Sequence, residues 1–188
     1  MEPATLRTER LELSAVRRSD VDALFKACQD PDIRRYTTVP TPYEYHHAVE
    51  FVQRVAKGWE DGTEQTWAMR DGETLAGIVG LYRQAGGTAE LGYWVAPRSR
   101  GRGYATEAAE AIVDWAFSSE GLELARIEWR AVVGNIASAR AARTLGFRFE
   151  GTLRQALRNG SGARDDGWIA GLLATDDRAP QPWPVLEH

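Results

Sequence analysis

The stretch Gly92-Tyr-Trp-Val-Ala-Pro-Arg-Ser-Arg-Gly-Arg-Gly-Tyr-Ala-Thr-Glu107 constrains this chain more than any other segment. An apolar run, a proline turn and a loop with Arg100, Gly101, Arg102 and Gly103 lead directly into an alanine-rich helix. The first turn of a helix leaves backbone N–H groups unpaired and carries partial positive charge. Glycines just ahead of it let a ligand approach the backbone with no Cβ in the way. Two arginines add charge. Together these features predict a phosphate or pyrophosphate cradle on a strand–loop–helix unit. The same residues also suit a tight strand-to-helix turn with solvated arginines.

No Gly-Lys-Ser/Thr follows the glycines, so the loop is not a P-loop. Gly101-x-Gly103 lacks the third glycine of the dinucleotide fingerprint, and Thr106 stands in its place. The six residues Arg100-x-x-Gly103-x-Ala105 instead resemble the acyl-CoA loop of the GCN5-related N-acetyltransferase (GNAT) superfamily, Gln/Arg-x-x-Gly-x-Gly/Ala. A second register, Arg98-x-x-Gly101-x-Gly103, matches by letter; the first keeps the usual distance from the apolar strand. The resemblance extends over nearly the whole chain. Thr8-Glu-Arg-Leu-Glu-Leu13, Glu90-Leu-Gly-Tyr-Trp-Val95, Asn135-Ile-Ala-Ser-Ala-Arg140, Leu145-Gly-Phe147 and Arg164-Asp-Asp-Gly-Trp-Ile-Ala-Gly-Leu-Leu173 follow in order. They resemble the branch that acetylates ribosomal-protein N-termini, the RimJ/RimL type.

Composition fits a soluble enzyme domain. The 188 residues suffice for one domain over 1–185, with 43% hydrophobic and 27% charged residues. The final Leu186-Glu187-His188 reads as an expression-tag remnant. A net charge of −4 gives no basis for direct nucleic-acid binding. No run is long enough to span a membrane, and no segment reads as a signal peptide. A single cysteine, Cys28, excludes an internal disulfide and fits a cytoplasmic protein. His46-His47 has no further ligand at metal spacing, so no metal is expected.

Periodicity alone gives mixed α and β. Leu11 and Leu13 alternate with polar neighbours as a first strand. Ser19 or Asp20 caps a helix carrying Val21, Leu24, Phe25 and Cys28, which Asp30-Pro31 ends. Thr41-Pro42 opens a second helix that stops at Gly58. Strands follow at 65–69, 75–81 and 89–95, then the helix after the loop, with Ala108, Ala109, Ile112, Trp115 and Ala116 on one face. A strand at 127–133, a helix at 136–145 and strands at 147–154 and 168–173 complete the chain. The resemblance turns this order into the GNAT α/β (α+β) fold. That fold is a mixed, mostly antiparallel central sheet flanked by helices, with two central strands that pair at one end and splay at the other.

The resemblance also implies site residues. Acetyl-CoA, or another acyl-CoA, would enter the splay and bond to strand backbone near Trp94 and Val95. Its pyrophosphate would rest on the backbone of Arg100, Gly101, Arg102, Gly103, Tyr104 and Ala105. Direct attack by an amine on the thioester needs a neutral amine, an oxyanion donor and a proton for the thiolate. The oxyanion donor would be backbone N–H near Val95. Asn135 suits both an N-cap and a pantetheine contact. Ser138, one helical turn on, would bond the sulfur and protonate the thiolate; as a plain helix serine it would be solvated. Many superfamily members carry a tyrosine seven residues after the asparagine and a glutamate five before it. This chain has Ala142 and Arg130 there. Glu90 is the first candidate base, acting through water, or else a rim glutamate paired to an arginine. Asp166 is the second, or a contact for the substrate ammonium, with Arg164 as its structural partner otherwise. Tyr36, Trp94 and Trp168 are candidates for an acceptor pocket. The implied activity is N-acetyl transfer to a primary amine, first of all a protein N-terminus. A small amine of aminoglycoside type is the alternative acceptor, and a non-catalytic acyl-CoA-binding module the alternative class. The sequence leaves a homodimer open.

Overall fold

The computed structural model describes residues 1–187. Eight strands form one sheet in the order β1-β2-β3-β4-β5-β6-β8-β7. They are β1 (Leu6–Arg7), β2 (Glu12–Ala15), β3 (Glu64–Asp71), β4 (Thr74–Gln84), β5 (Thr88–Val95), β6 (Arg126–Val132), β7 (Arg148–Arg158) and β8 (Arg164–Leu173). Five helices flank it: α1 (Val21–Ala27), α2 (Pro31–Tyr36), α3 (Tyr45–Asp61), α4 (Tyr104–Phe117) and α5 (Ile136–Thr144). Every strand pair is antiparallel except β5–β6.

The parallel pair positions the site. β5 and β6 are in register from Thr88↔Arg126 to Leu91↔Trp129, and pairing stops there. Gly92–Val95 stays paired to β4, and Arg130–Val132 stays paired to β8. The sheet therefore opens into a V between Tyr93 and Arg130, the splay that the GNAT resemblance implies. The edges facing this gap carry backbone polar groups with no neighbouring strand to pair with.

Helix faces cover the sheet as their periodicity dictates. Ala108, Ala109, Ile112, Val113 and Ala116 of α4 are fully buried, and their small side chains let the helix lie close to β4 and β5. On the opposite face Ala48, Val55 and Trp59 of α3 pack on β3. Trp59, Trp67 and Trp115 meet in edge-on contacts. After β8 the chain returns to bury Trp183, whose Nε1–H donates to Phe147 O at 3.1 Å, while Leu186 packs against the core. His188, the end of the predicted tag remnant, lies outside the described residues.

Three boundaries differ from the sequence reading. Asp30-Pro31 ends α1 but also starts α2, because the Asp30 carboxylate caps Asp32 and Ile33 N–H and Pro31 fits the first helical position. α3 begins at Tyr45, with Glu44 as its cap rather than Thr41. It runs through Gly58 to Asp61 and ends at Gly62, whose φ of +70° is the left-handed cap glycine favours. Gly58 is small because the Glu64 side chain occupies the place of a Cβ. No helix among the described residues is long and apolar enough to cross a membrane.

Candidate active site

A cleft of about 900 Å³ passes through the V of the sheet. On the α3 face it is lined by Tyr36, Tyr82, Glu90, Trp94 and Arg130, and on the α5 face by Tyr93, Trp129, Asn135 and Ser138. Its outer wall is the segment 37–40 on one side and the β7–β8 hairpin tip on the other. These two touch: a Cβ on Gly160 would overlap the Val39 carbonyl. The opening on the α3 face is thus bridged by an arch.

On the α5 face, Asn135 caps its helix, its Oδ1 accepting from Ser138 N at 3.3 Å. This leaves the amide NH2 of Asn135 without a protein acceptor among the described residues. Ser138 Oγ accepts from Trp129 Nε1 at 3.0 Å and donates to Tyr93 Oη at 3.1 Å. Tyr93 Oη in turn donates to Ser138 O at 3.2 Å. Burial raises the Tyr93 pKa, outweighing its bonds to Ser138 and Trp129. The Ser138 hydroxyl is therefore held in a network and is not a solvated helix serine. No local pattern singles out Tyr93, because its partner is 45 residues away; strand alternation puts it on the face opposite Glu90 and Trp94.

On the α3 face, burial raises the Glu90 pKa. Arg130, whose Nε is 3.7 Å away, lowers it, and Glu128 raises it further. Arg130 gives its closer bond to Glu128, at 2.8 Å, so Glu90 is only partly neutralised. The Glu90 side chain keeps 31% of its surface exposed toward the cleft, within reach of water. Glu90 thus lines the cleft and faces an arginine.

The loop ahead of α4 is open in the way a phosphate requires. Gly101 and Gly103 have φ of +75° and +78°, and space beside Gly101 is free for 4 Å. Gly103 is the N-cap and supplies no side-chain cap. The N–H groups from Gly101 to Thr106 donate to no backbone acceptor among the described residues. Such a run of free donors at a helix start, with two left-handed glycines, fits a pyrophosphate. The arginines do something other than the sequence suggests. Arg100 binds Asp30 at 2.6 Å and reaches Val95 O, and Arg102 contacts Asp71 at 3.4 Å. Tyr104 donates to the same Asp71 at 2.7 Å, and Glu107 holds Arg10 on the turn before β2. These side chains brace the loop, leaving its backbone to meet a ligand.

Two expected acceptor contacts are not at the cleft. Asp166 accepts from Gln155 N at 2.8 Å and from Gln155 Nε2 at 3.3 Å. There it fastens a bulge in which β7 residues 154–156 face a single residue of β8, Gln155 having φ +51°. Arg164, its expected partner, donates to Gln155 O instead. Trp168 is buried between Ala131 and Thr152 in the sheet. Among the described residues no three His, Cys, Asp or Glu cluster as metal ligands.

Residues 10–148 match the acetyltransferase (GNAT) domain family. The chain belongs to this family. It is an acyl-CoA-dependent N-acetyltransferase. An uncharacterized N-acetyltransferase of Bacillus subtilis strain 168, YoaA, is 30% identical over 161 residues, covering 83% of this chain and 90% of its own. Among solved structures, RimL, a ribosomal L7/L12 α-N-protein acetyltransferase in complex with coenzyme A, superposes with a TM-score of 0.80 at 20% identity. The match covers 90% of this acetyltransferase and 98% of RimL. RimJ of Mycobacterium smegmatis, in complex with CoA-disulfide, gives 0.80 at 22% identity over 95% and 88% of the two chains. At such identities the structures share the fold of this acetyltransferase.

Proposed function

We propose that this acetyltransferase moves the acetyl group of acetyl-CoA to the α-amine of a protein N-terminus, in the cytoplasm, by direct attack on the thioester. The observation that carries this reading is the cleft through the V. It brings Asn135 and Ser138 on one face of the sheet together with Glu90 on the other, and the free N–H loop lies just beyond β5, whose open edge lines the cleft. In this account the backbone from Gly101 to Ala105 holds the pyrophosphate. Asn135 and the open edge at Trp94 and Val95 hold the pantetheine arm. Glu90 takes a proton from the incoming ammonium through water, burial having raised its pKa above that of an ordinary carboxylate and so made it a stronger base. Backbone N–H at the end of β5 meets the oxyanion, and Ser138 supplies the proton the sulfur leaves with. Acetyl-CoA supplies the activated acyl carbon. Direct transfer is also favoured by what would be needed for a covalent enzyme: the one cysteine, Cys28, is buried, with its thiol pushed up to about 12.

The acceptor assignment draws on the arch and on the RimL and RimJ likeness. A cleft bridged by Val39 and Gly160 takes an acceptor end-on, as a chain terminus presents itself. A small free amine is the second reading, favoured by the same arch. The test is an acceptor panel: peptides with free or blocked N-termini, lysine side-chain amines and small polyamines, with acetyl-CoA and mass detection of the product. Acetylation confined to free peptide N-termini supports the first reading, and acetylation confined to small amines replaces it with the second. Binding of acetyl-CoA without turnover on every amine overturns both.

A further inference from the structure

We propose that Tyr93, with Trp129, sets the direction of the Ser138 hydroxyl proton and is a positioning residue for acyl transfer. The inference rests on the reading above, in which Ser138 meets the leaving sulfur. Trp129 is the last β6 residue paired to β5, and Tyr93 lies two past the last paired residue of β5. The two side chains therefore reach Ser138 from both sides of the gap.

The proton count of this trio is informative. A hydroxyl has one proton and two lone pairs, and an indole N–H is a donor only. Trp129 at 3.0 Å thus occupies one lone pair of Ser138 Oγ. The remaining heavy-atom distances, 3.1 Å from Ser138 Oγ to Tyr93 Oη and 3.2 Å from Tyr93 Oη to Ser138 O, allow two proton arrangements. In the first, Ser138 donates to Tyr93, and Tyr93 donates to the Ser138 carbonyl. In the second, Tyr93 donates to Ser138 Oγ, and the serine proton is released toward the cleft. The two differ by rotation of two O–H bonds, with no heavy atom displaced.

Only the second arrangement makes Ser138 useful to a departing thiolate. Its oxygen then accepts from two donors while it gives its own proton, and charge gathering on it is met by Trp129 N–H and Tyr93 O–H. Tyr93 keeps its proton, as a phenol with a raised pKa does. The step balances: the ammonium gives a first proton to Glu90, which passes it to solvent; the C–N bond forms as the C–S bond breaks, sulfur leaves with the Ser138 proton, and the second proton, lost by the nitrogen on acylation, returns to Ser138 through water.

The experiment is a double-mutant cycle of Tyr93→Phe and Ser138→Ala, read in kcat and in KM for acetyl-CoA, with melting curves. One lost hydrogen bond predicts a fall in kcat of about 5- to 10-fold for Tyr93→Phe, with KM for acetyl-CoA within about twofold. Ser138→Ala falls about 10- to 100-fold. The double variant is no slower than Ser138→Ala, since Tyr93 then has no proton to direct. Wild-type kcat in Tyr93→Phe with a slow Ser138→Ala overturns the proposal and leaves the Ser138 reading standing. Wild-type kcat in Ser138→Ala overturns that reading, and the proposal with it. Losses that multiply mean Tyr93 acts without Ser138, which also overturns the proposal. If Tyr93→Phe does not fold, 3-fluorotyrosine at position 93 replaces it in the cycle. A change in kcat seen only when Ser138 is present supports the proposal; no change, or one that persists in Ser138→Ala, overturns it.

Discussion

Gly103→Ala separates the backbone of the acyl-CoA loop from its arginines. Gly103 has φ +78°, and a Cβ there would stand 3.6 Å from Arg10 Nη2, an ordinary contact. The protein itself leaves room, so the cost to folding is the left-handed conformation, about 1–2 kcal/mol for a residue with a Cβ. For a chain of this size that lowers Tm by about 2–8 °C. The cost to binding is separate. The new methyl group stands at the N-cap where the N–H groups of Tyr104 and Ala105 would meet phosphate. A lost bond to a charged group is worth about 1.5–3 kcal/mol, or on the order of 10- to 100-fold in coenzyme A affinity. Gly62→Ala is the matched control, because Gly62 has φ +70° and open space but caps the far end of α3. Calorimetric titration with coenzyme A and melting curves on both variants decide the matter. The expected result is a similar loss of Tm in both and a loss of affinity in Gly103→Ala alone. Affinity within about twofold of wild type in a folded Gly103→Ala, or an equal loss in Gly62→Ala, refutes the reasoning.

Two further predictions rest on buried charge. A carboxyl whose folded pKa lies above its unfolded value loses stability as pH climbs through that interval. Glu90→Gln should therefore match or exceed the wild-type Tm at pH 8, with the difference closing toward pH 4, while kcat falls about 100-fold and the acidic limb of the pH–rate profile disappears; a lower Tm at pH 8 with full activity would reverse both assignments. Asp20 is the opposite case: burial pushes its carboxyl up, but the hydrogen bonds and charges of Arg70 and Arg17 outweigh this and hold it low. Its stabilisation is present above the ordinary carboxylate range and lost as pH falls through the lowered value, and Asp20→Ala, leaving Arg70 buried and unpaired, should cost about 3–5 kcal/mol by urea denaturation, a loss under 1 kcal/mol being contrary.

The parts of this molecule legible in the sequence are those carried by neighbours in the chain. The glycine loop, the Asn135 cap, the α4 face and the strands that form the V are local patterns, and each lies where the pattern puts it. What the sequence hid depends on distant partners. Arg100 and Arg102 read as free charge because Asp30 and Asp71 lie 70 and 31 residues away. Asp166 read as an acceptor contact because a three-against-one bulge at Gln155 has no periodic signature. Asp30-Pro31 both stops and starts helices, and only packing shows that it does both here. Tyr93 could have been suspected from alternation, being the polar-tipped residue on the α5 side of β5, but nothing local names Ser138 as its partner.

The order of the reaction tests the central claim most directly. Initial rates of thiol release, with acetyl-CoA and a free-N-terminus peptide both varied, should give intersecting double-reciprocal lines and no release without the amine. That is the pattern of a direct attack inside a ternary complex in the V. Parallel lines, or a burst of thiol from enzyme and acetyl-CoA alone, would mean an acyl-enzyme intermediate and would contradict the account.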